Sequence, residues 1–222
     1  MTTARDNILA KVRTALGKRA RDEAGFAAAE ATMRAHASGP RPRLAADPVE
    51  QFVRRSRDMG STVERIGDRA EIPQCTARYL AALELPPALA AQKSTAGVCW
   101  PEFAALDWAG AGLAIEARPT TGGDRLAITG CFCAIAETGT MVVLSGADTP
   151  TAHALLPDTH IAVVQADRIV GSMEDAFALI RRDCDRLPRA INMISGPSRT
   201  GDIEQTIVLG AHGPYRVHIL VV

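Results

Sequence analysis

The sequence predicts an α/β fold, in which helices flank a mainly parallel sheet and an N-terminal helical arm precedes it. Short, almost fully apolar and β-branched runs occur at Met141–Leu144 and His160–Val164. Such runs are typical of parallel strands that are buried on both faces. Segments with helical spacing alternate with strand candidates along the chain, and this alternation favours strand–helix–strand units that bind ligands at the carboxyl ends of their strands.

The arm is predicted for residues 1–43. Thr3 is a candidate helix cap, and Gly17 follows the last apolar position of the first helix. A second, alanine-rich helix over Arg21–His36 runs into the proline-rich break Ser38–Arg43. The apolar positions of the first helix recur at three- and four-residue spacing, at Ile8, Leu9, Val12 and Leu16. The arm either packs as a simple appendage or contacts a partner or a second copy of the chain, and both alternatives stay open.

Residues 44–222 are predicted to form the α/β domain. Its helices are expected to begin at Asp47–Pro48 and to span Gln74–Leu83 and Glu174–Arg182, the last of them capped by Ser172. Besides the two apolar runs, the strand candidates are Ser61–Ile66, Gly97–Trp100, Gly112–Ala117, Ala190–Ile194 and His218–Val222.

The composition excludes several classes of function. The 25 basic and 25 acidic residues cancel, and aromatic residues make up only 4% of the chain, so we expect no nucleic-acid partner. No apolar stretch reaches the length of a membrane span, and the N-terminus does not resemble a secretion signal. The five cysteines are an odd number in apolar surroundings, which favours a reducing compartment. A cytoplasmic protein is expected.

Counting of ligand types predicts no metal and no bound cofactor. Cys131 and Cys133 are a single close pair without the second pair or the histidines of a zinc site. The cysteine run of an iron–sulfur cluster and the glycine fingerprint of a dinucleotide site are both missing. If the protein takes part in a redox reaction, another polypeptide is therefore expected to carry the electrons.

The first candidate site is the segment Glu137–Thr140, which directly precedes an apolar strand. Gly139 can adopt a positive φ and allow backbone N–H groups to approach an anion. Glu137 can serve as a base, a nucleophile or an orienting acceptor, with Thr138 and Thr140 as hydroxyl ligands. The same residue types also suit an ordinary hydrogen-bonded turn, and the residues alone do not decide between the two.

The second candidate site follows the strand that ends at Ile194. Its residues combine backbone N–H groups, hydroxyls and a guanidinium ahead of a helix predicted to begin near Asp202, an arrangement suited to a phosphate or carboxylate. The alternative is that Thr200 or Asp202 merely caps that helix. A Walker A loop is excluded because its Gly-Lys-Ser/Thr ending is absent. The predicted ligand-binding residues here are Gly196, Pro197, Ser198, Arg199, Thr200 and Asp202.

The third candidate is the segment Gly210–Pro214 before the terminal strand. His212 lies between glycine-containing turns, from which it can reach a cleft and exchange a proton near neutral pH, and Gly213 is assigned to the ligand-binding residues. A structural or solvated histidine is the alternative.

Four separated segments together resemble the LUD domain, and within it the lactate-utilisation protein C family. They are Ala134–Thr140, Leu156–Ile161, Gly196–Glu204 and Gly210–Pro214. The resemblance is strong over residues 126–222 and weaker over residues 47–125.

The resemblance implies a fold like the NagB, ribose-5-phosphate isomerase and CoA-transferase superfamily. It also implies a cluster-free component that works beside iron–sulfur proteins in oxidising L-lactate to pyruvate. Because each of the three polar segments adjoins an apolar strand, we expect a parallel sheet to bring them to one edge, where the Gly196–Thr200 loop binds a small anion in the cleft that Glu137, Thr138 and His212 line. The alternative is a stand-alone CoA-ester transferase or sugar-phosphate isomerase, in which Glu137 acts as the glutamate of the superfamily's CoA transferases does. The loop lacks the Glu-Asn-Gly form of those enzymes. A third hypothesis is a regulatory module that binds a carboxylate or phosphate without turnover.

Overall fold

The structure, a computed structural model, describes residues 3–18, 22–35, 37, 39, 41, 45–85, 93–203 and 206–222. Most of the predicted break at Ser38–Arg43 lies outside these residues, as do Glu204 and the side chain of Asp202. The chain divides into two compact units, Met1–Pro42 and Arg43–Val222. No helix among the described residues is long and apolar enough to cross a membrane.

The first unit contains two helices, α1 (Ala4–Ala15) and α2 (Glu23–Ala35). Thr3 caps α1 as the sequence predicts, because its side chain accepts a hydrogen bond from the backbone N–H of Asp6. The described side chains of both helices are accessible to solvent, including the apolar residues Ile8 and Leu16, which are more than 60% exposed.

A six-stranded sheet forms the centre of the second unit. Its strands, in spatial order, are β1 (Thr62–Arg65), β12 (Arg216–Val221), β7 (Thr159–Val164), β4 (Leu126–Thr129), β2 (Ala96–Cys99) and β3 (Ala114–Glu116). Every neighbouring pair in this sheet is parallel. Helices flank it, so the predicted α/β class with a mainly parallel sheet is confirmed.

A second, four-stranded sheet contains β8 (Ile169–Val170), β5 (Cys133–Ile135), β6 (Thr140–Leu144) and β9 (Ile191–Ile194), in this spatial order. β6 is antiparallel to both β5 and β9. The prediction of a parallel strand at Met141–Leu144 is therefore wrong. The reason is local, since only four residues separate β5 from β6, and a connection that short can join only antiparallel neighbours.

The second sheet lies between the main core and a helix. Alternate residues of β6, Met141 and Val143, belong to the same core as the parallel sheet. The residue between them, Val142, packs with Ile180 of helix α5 (Met173–Asp183) on the opposite face. This alternation follows from the period of two along a strand. Ser172 caps α5 as predicted.

Two further helices pack on the unit, α3 (Pro48–Asp58) and α4 (Ile72–Ala82). The carboxylate of Asp47 caps α3 by accepting hydrogen bonds from the N–H groups of Val49 and Glu50. α3 buries Phe52, Val53 and Ser56 and contacts β1 and β8, which places its last turn beside the second sheet.

The helix predicted to begin near Asp202 is absent, and that prediction is wrong. The chain instead forms an antiparallel hairpin of β10 (Arg199–Ile203) and β11 (Thr206–Leu209). The run Ile203 to Leu209 is rich in β-branched residues, which favour strands over helices. A helix N-terminus is therefore not available to bind an anion at this segment.

Candidate active site at the edge of the second sheet

A pocket of about 420 Å³ lies where the last turn of α3 meets the β5–β6 turn, the start of α5 and the end of β9. Its volume falls in the range of small-molecule sites. The described residues that line it are Arg55, Asp58, Met59, Glu137, Thr138, Thr140, Met173, Met193 and Ser195.

Gly139 allows α3 to lie directly against the β5–β6 turn. Its φ is +67°, and a Cβ at this position would lie only 2.5 Å from the backbone nitrogen of Ser56 and 2.6 Å from the carbonyl carbon of Arg55. Any larger residue would therefore push the helix away from the turn. The predicted positive φ is confirmed, and the space it provides is filled by the backbone of α3.

Glu137 is oriented by the start of α5. Its backbone N–H donates to the carbonyl of Gly171 at 3.1 Å, and its Oε1 accepts a hydrogen bond from the N–H of Met173 at 3.0 Å. Met173 is the first residue of α5, where backbone N–H groups have no partner within the helix and the helix dipole favours negative charge. One carboxylate oxygen of Glu137 thus completes the N-terminus of α5.

Three hydroxyl groups form a chain along the pocket. Thr138 Oγ1 lies 2.7 Å from Thr140 Oγ1, which in turn lies 2.6 Å from Ser195 Oγ. Thr140 is buried, whereas Thr138 is exposed. The chain therefore connects the interior of the second sheet to the surface, and Ser195 is a site residue that the sequence reasoning did not assign individually.

The last turn of α3 supplies the charged and apolar groups of the opposite wall. Arg55 Nη1 lies 3.7 Å from Asp58 Oδ2, and about half of each side chain is exposed. Met59, Met173 and Met193 are each 37–38% exposed around the pocket. The sequence reasoning missed this wall, because Arg55 and Asp58 look like ordinary surface residues of an amphipathic helix.

The segment after β9 packs beside this wall. Gly196 has a φ of +78°, and a Cβ there would clash with the carbonyl oxygen of Met59. Ser198 donates its N–H to the carbonyl of Pro214 at 2.9 Å, and its Oγ accepts from the N–H of His212 at 3.4 Å. The second and third candidate segments therefore contact each other.

The structure brings together only part of the predicted site. Glu137, Thr138 and Thr140 line the pocket, and Gly139 sets its shape. Other predicted residues lie outside the set of described lining residues, namely Gly196, Pro197, Ser198, Arg199, Thr200, His212 and Gly213.

The three segments do not meet at the carboxyl edge of the parallel sheet, so that expectation is wrong. Glu137 and Ser195 follow strands of the second sheet, while His212 precedes β12 and so lies toward the amino end of a parallel strand. The strand pattern did not reveal that the strands before Glu137 and Ser195 belong to a separate sheet.

His160, a member of one of the resembling segments, lies in the interior of the parallel sheet. It is fully buried, and its Nε2 lies 2.8 Å from Thr129 Oγ1. Burial and, to a smaller extent, nearby His153 together lower the pKa of His160 to about 4. The ring is therefore neutral at neutral pH.

A family model described as the LUD domain matches residues 103–222, which include β3 to β12. The chain belongs to the LUD domain family. The resemblance found in the four segments is thereby confirmed. Six of the nine described lining residues fall within the matched region, whereas the α3 wall precedes it.

Curated relatives carry one name. A Lactate utilization protein C of Bacillus licheniformis is 39% identical over 101 residues, which are 44% of this chain and 42% of that protein. A protein of the same name in Deinococcus radiodurans is 41% identical over 96 residues, covering 43% of this chain and 45% of that protein. This chain therefore spans less than half the length of each of these relatives.

A solved structure extends the similarity beyond that region. The crystal structure of a DUF162 family protein from Deinococcus radiodurans matches with a TM-score of 0.57 and 26% sequence identity. The match covers 81% of this chain and 99% of the other chain. The likeness therefore includes more of the molecule than the family match alone.

Proposed function

We propose that this LUD-domain chain acts in lactate utilisation, as a component that binds a small carboxylate beside Glu137. The observation that carries the proposal is the name Lactate utilization protein C, which is shared by relatives of 37–41% identity. The pocket supports it, because six of its lining residues belong to the domain on which the family is defined.

The charges of the pocket favour a monocarboxylate over a phosphate. Among its described lining residues, one guanidinium, that of Arg55, faces two carboxylates, those of Asp58 and Glu137. The set carries one positive and two negative charges, so it disfavours a phosphate dianion more strongly than a singly charged carboxylate, which can pair with Arg55 while its hydroxyl donates to a carboxylate oxygen. L-Lactate has both groups. Arg55 would bind its carboxylate, and Oε2 of Glu137 would accept the hydrogen bond of its hydroxyl.

The electrons of lactate oxidation require a second component. Conversion of L-lactate to pyruvate releases two electrons and two protons, and we assign the electrons to iron–sulfur partner proteins. In this arrangement the chain holds the substrate, and we assign the hydroxyl proton to Glu137. The hydrogen on the α-carbon leaves as the second proton, which the partner system takes up together with the two electrons. His212 has no assigned contact with the ligand, because it lies beside Ser198 outside the pocket lining.

Reconstitution tests this proposal. L-lactate oxidation is measured with iron–sulfur proteins of a lactate-utilisation system, with and without the chain, and with the variant Glu137→Gln. We expect activity to require the chain and to fall at least tenfold in Glu137→Gln. Glu84→Gln, which changes an exposed glutamate away from the pocket, is the matched control and should retain activity. Equal oxidation with and without the chain would contradict the proposal.

A second candidate function rests on the geometry of Glu137. A carboxylate that lines a pocket and is held through one oxygen by the N–H of Met173 could attack a CoA ester with the other oxygen. The attack would form a glutamyl anhydride and release the CoA thiolate. Incubation with acetyl-CoA, followed by hydroxylamine and mass spectrometry of the peptide containing Glu137, would detect this intermediate. A modification of Glu137 that is absent in Glu137→Gln would favour the transferase over the lactate component.

A further inference from the structure

The last turn of α3 is the wall of the pocket that lies outside the family match. It provides Arg55, Asp58 and Met59. Met59 is the C-cap residue of the helix, and its N–H donates to the carbonyl of Arg55 at 3.0 Å. The carbonyl groups at a helix C-terminus have no partner within the helix and carry the negative end of its dipole. Neighbouring N–H groups donate to the carbonyl groups of residues 55–57, whereas the carbonyl of Met59 accepts a hydrogen bond from a distant part of the chain.

Arg199 supplies that donor. Its Nη2 donates to the carbonyl oxygen of Met59 at 3.0 Å, from a position 140 residues further along the chain. A cation at this end of α3 also complements the helix dipole. The two backbones approach closely at Gly196, where a Cβ would clash with the Met59 carbonyl oxygen, and the Arg199 guanidinium lies against Gly60.

Backbone contacts of Arg199 and its neighbour fix the position of this arginine. Arg199 pairs with Leu209 in the β10–β11 hairpin. The preceding residue, Ser198, donates its N–H to Pro214 and accepts a hydrogen bond from the N–H of Gly210, both at 2.9 Å. The contact on Met59 is thus anchored in the hairpin and in the segment that leads into β12.

We infer that Arg199 is a positioning residue, which fixes the α3 wall of the pocket through its hydrogen bond to Met59. The inference rests on the proposed function for the identity of the ligand, while the contact itself does not depend on the ligand. It also accounts for two donors that the sequence suggested for an anion. Arg199 and the N–H of Ser198 donate to backbone carbonyl groups instead.

Hydrogen–deuterium exchange of the full chain tests the contact without any ligand. The variants are Arg199→Ala, Arg199→Lys and, as a matched control, Arg125→Ala. Arg125 is an exposed arginine with an equally short bond, 2.9 Å to Asp158, and it does not line the pocket. We expect exchange in the α3 peptide containing residues 51–60 to become about tenfold faster in Arg199→Ala and to recover partly in Arg199→Lys, which keeps the cation.

A peptide from β7 separates a local effect from general destabilisation. Exchange over residues 159–164 should stay unchanged in both Arg199 variants, because that strand is buried in the parallel sheet. Wild-type exchange in α3 for Arg199→Ala would overturn the inference, as would equal acceleration in α3 and β7. Equal acceleration in Arg125→Ala would also overturn it.

Titration with L-lactate connects the contact to the ligand. We expect Arg199→Ala to weaken binding about tenfold and Arg199→Lys to restore part of it, since the wall and not a ligand contact is altered. Unchanged affinity in Arg199→Ala would overturn the positioning role. If the wild-type chain does not bind L-lactate, the proposed ligand is wrong, and the exchange experiment alone decides whether Arg199 holds α3.

Discussion

The parallel sheet and the second sheet both contain buried hydroxyl groups, but the partners of these groups differ. In the parallel sheet, Thr129 Oγ1 faces the fully buried ring of His160, and both groups lie in the interior. In the second sheet, Thr140 begins a strand, and its hydroxyl continues through Thr138 to the surface. A buried hydroxyl whose partner is also buried thus contributes mainly to stability, while one that is linked to an exposed hydroxyl is available to a ligand.

The largest expected effect tests how α3 meets the second sheet. Gly139→Ala should destabilise the protein by about 3 kcal/mol, because a side chain at positive φ is strained and the new Cβ would press on the backbone of α3. Gly112→Ala is the matched control, since Gly112 has a φ of +73° and nothing within 4 Å of the added Cβ. It should cost only about 1 kcal/mol. Urea denaturation measures both, and equal losses would show that the close approach of α3 has no energetic weight.

The next prediction concerns the buried pair of Thr129 and His160 in the parallel sheet. Because the pKa of His160 is lowered from 6.5 to about 4, the unfolded chain binds a proton between these values that the folded chain does not bind. This contribution to stability is complete above pH 6.5 and is lost as the pH falls toward 4. A shift of that size corresponds to at most about 3 kcal/mol, and relaxation around the charged ring reduces the expected loss to about 2 kcal/mol.

Urea denaturation at about pH 7 and about pH 4 measures this loss. His160→Gln should lose about 2 kcal/mol less than the wild type between the two pH values, because glutamine does not titrate. His212→Gln, which changes an exposed histidine, should follow the wild type. An identical loss in wild type and His160→Gln would mean that the buried ring does not contribute to acid sensitivity.

The smallest expected effect concerns the three linked hydroxyl groups of the second sheet, of which that of Thr138 lies at the surface. Thr140→Val keeps the shape of the side chain but removes the hydroxyl between Thr138 and Ser195, which should cost about 1 kcal/mol. Thr121→Val, at an exposed threonine, should be nearly neutral. If the three hydroxyl groups contribute to ligand binding, L-lactate binding should also weaken in Thr140→Val. Loss of stability without loss of binding would assign the hydroxyls to the fold alone.

The features that the sequence predicted well are local ones. The caps Thr3 and Ser172 and the positive φ of Gly139 follow from short-range hydrogen bonds and backbone sterics, which a few neighbouring residues determine. The apolar run at His160–Val164 agrees with β7 because a strand buried on both faces leaves a continuous apolar pattern.

The features that it did not predict depend on distant parts of the chain. Met141–Leu144 has the same apolar pattern as β7, although it lies in an antiparallel sheet whose other face is covered by α5. Arg55 and Glu137 line the same pocket because α3 packs against the β5–β6 turn. The residue spacing within either segment does not predict that packing. At Arg199, the many polar donors suggested a helix N-terminus, while the β-branched residues that follow specify a hairpin.

Because Glu137 accepts a hydrogen bond at the first turn of α5, the state of that helix can indicate how a ligand occupies the pocket. A ligand that draws the carboxylate away from the N–H of Met173 must loosen the start of the helix, and a ligand that leaves this bond intact must not. The same group therefore links occupancy of the pocket to the fraying of α5. A compound that binds through Arg55 alone and one that recruits Glu137 would thus differ in the amide exchange of a helix that neither of them touches beyond its first residue.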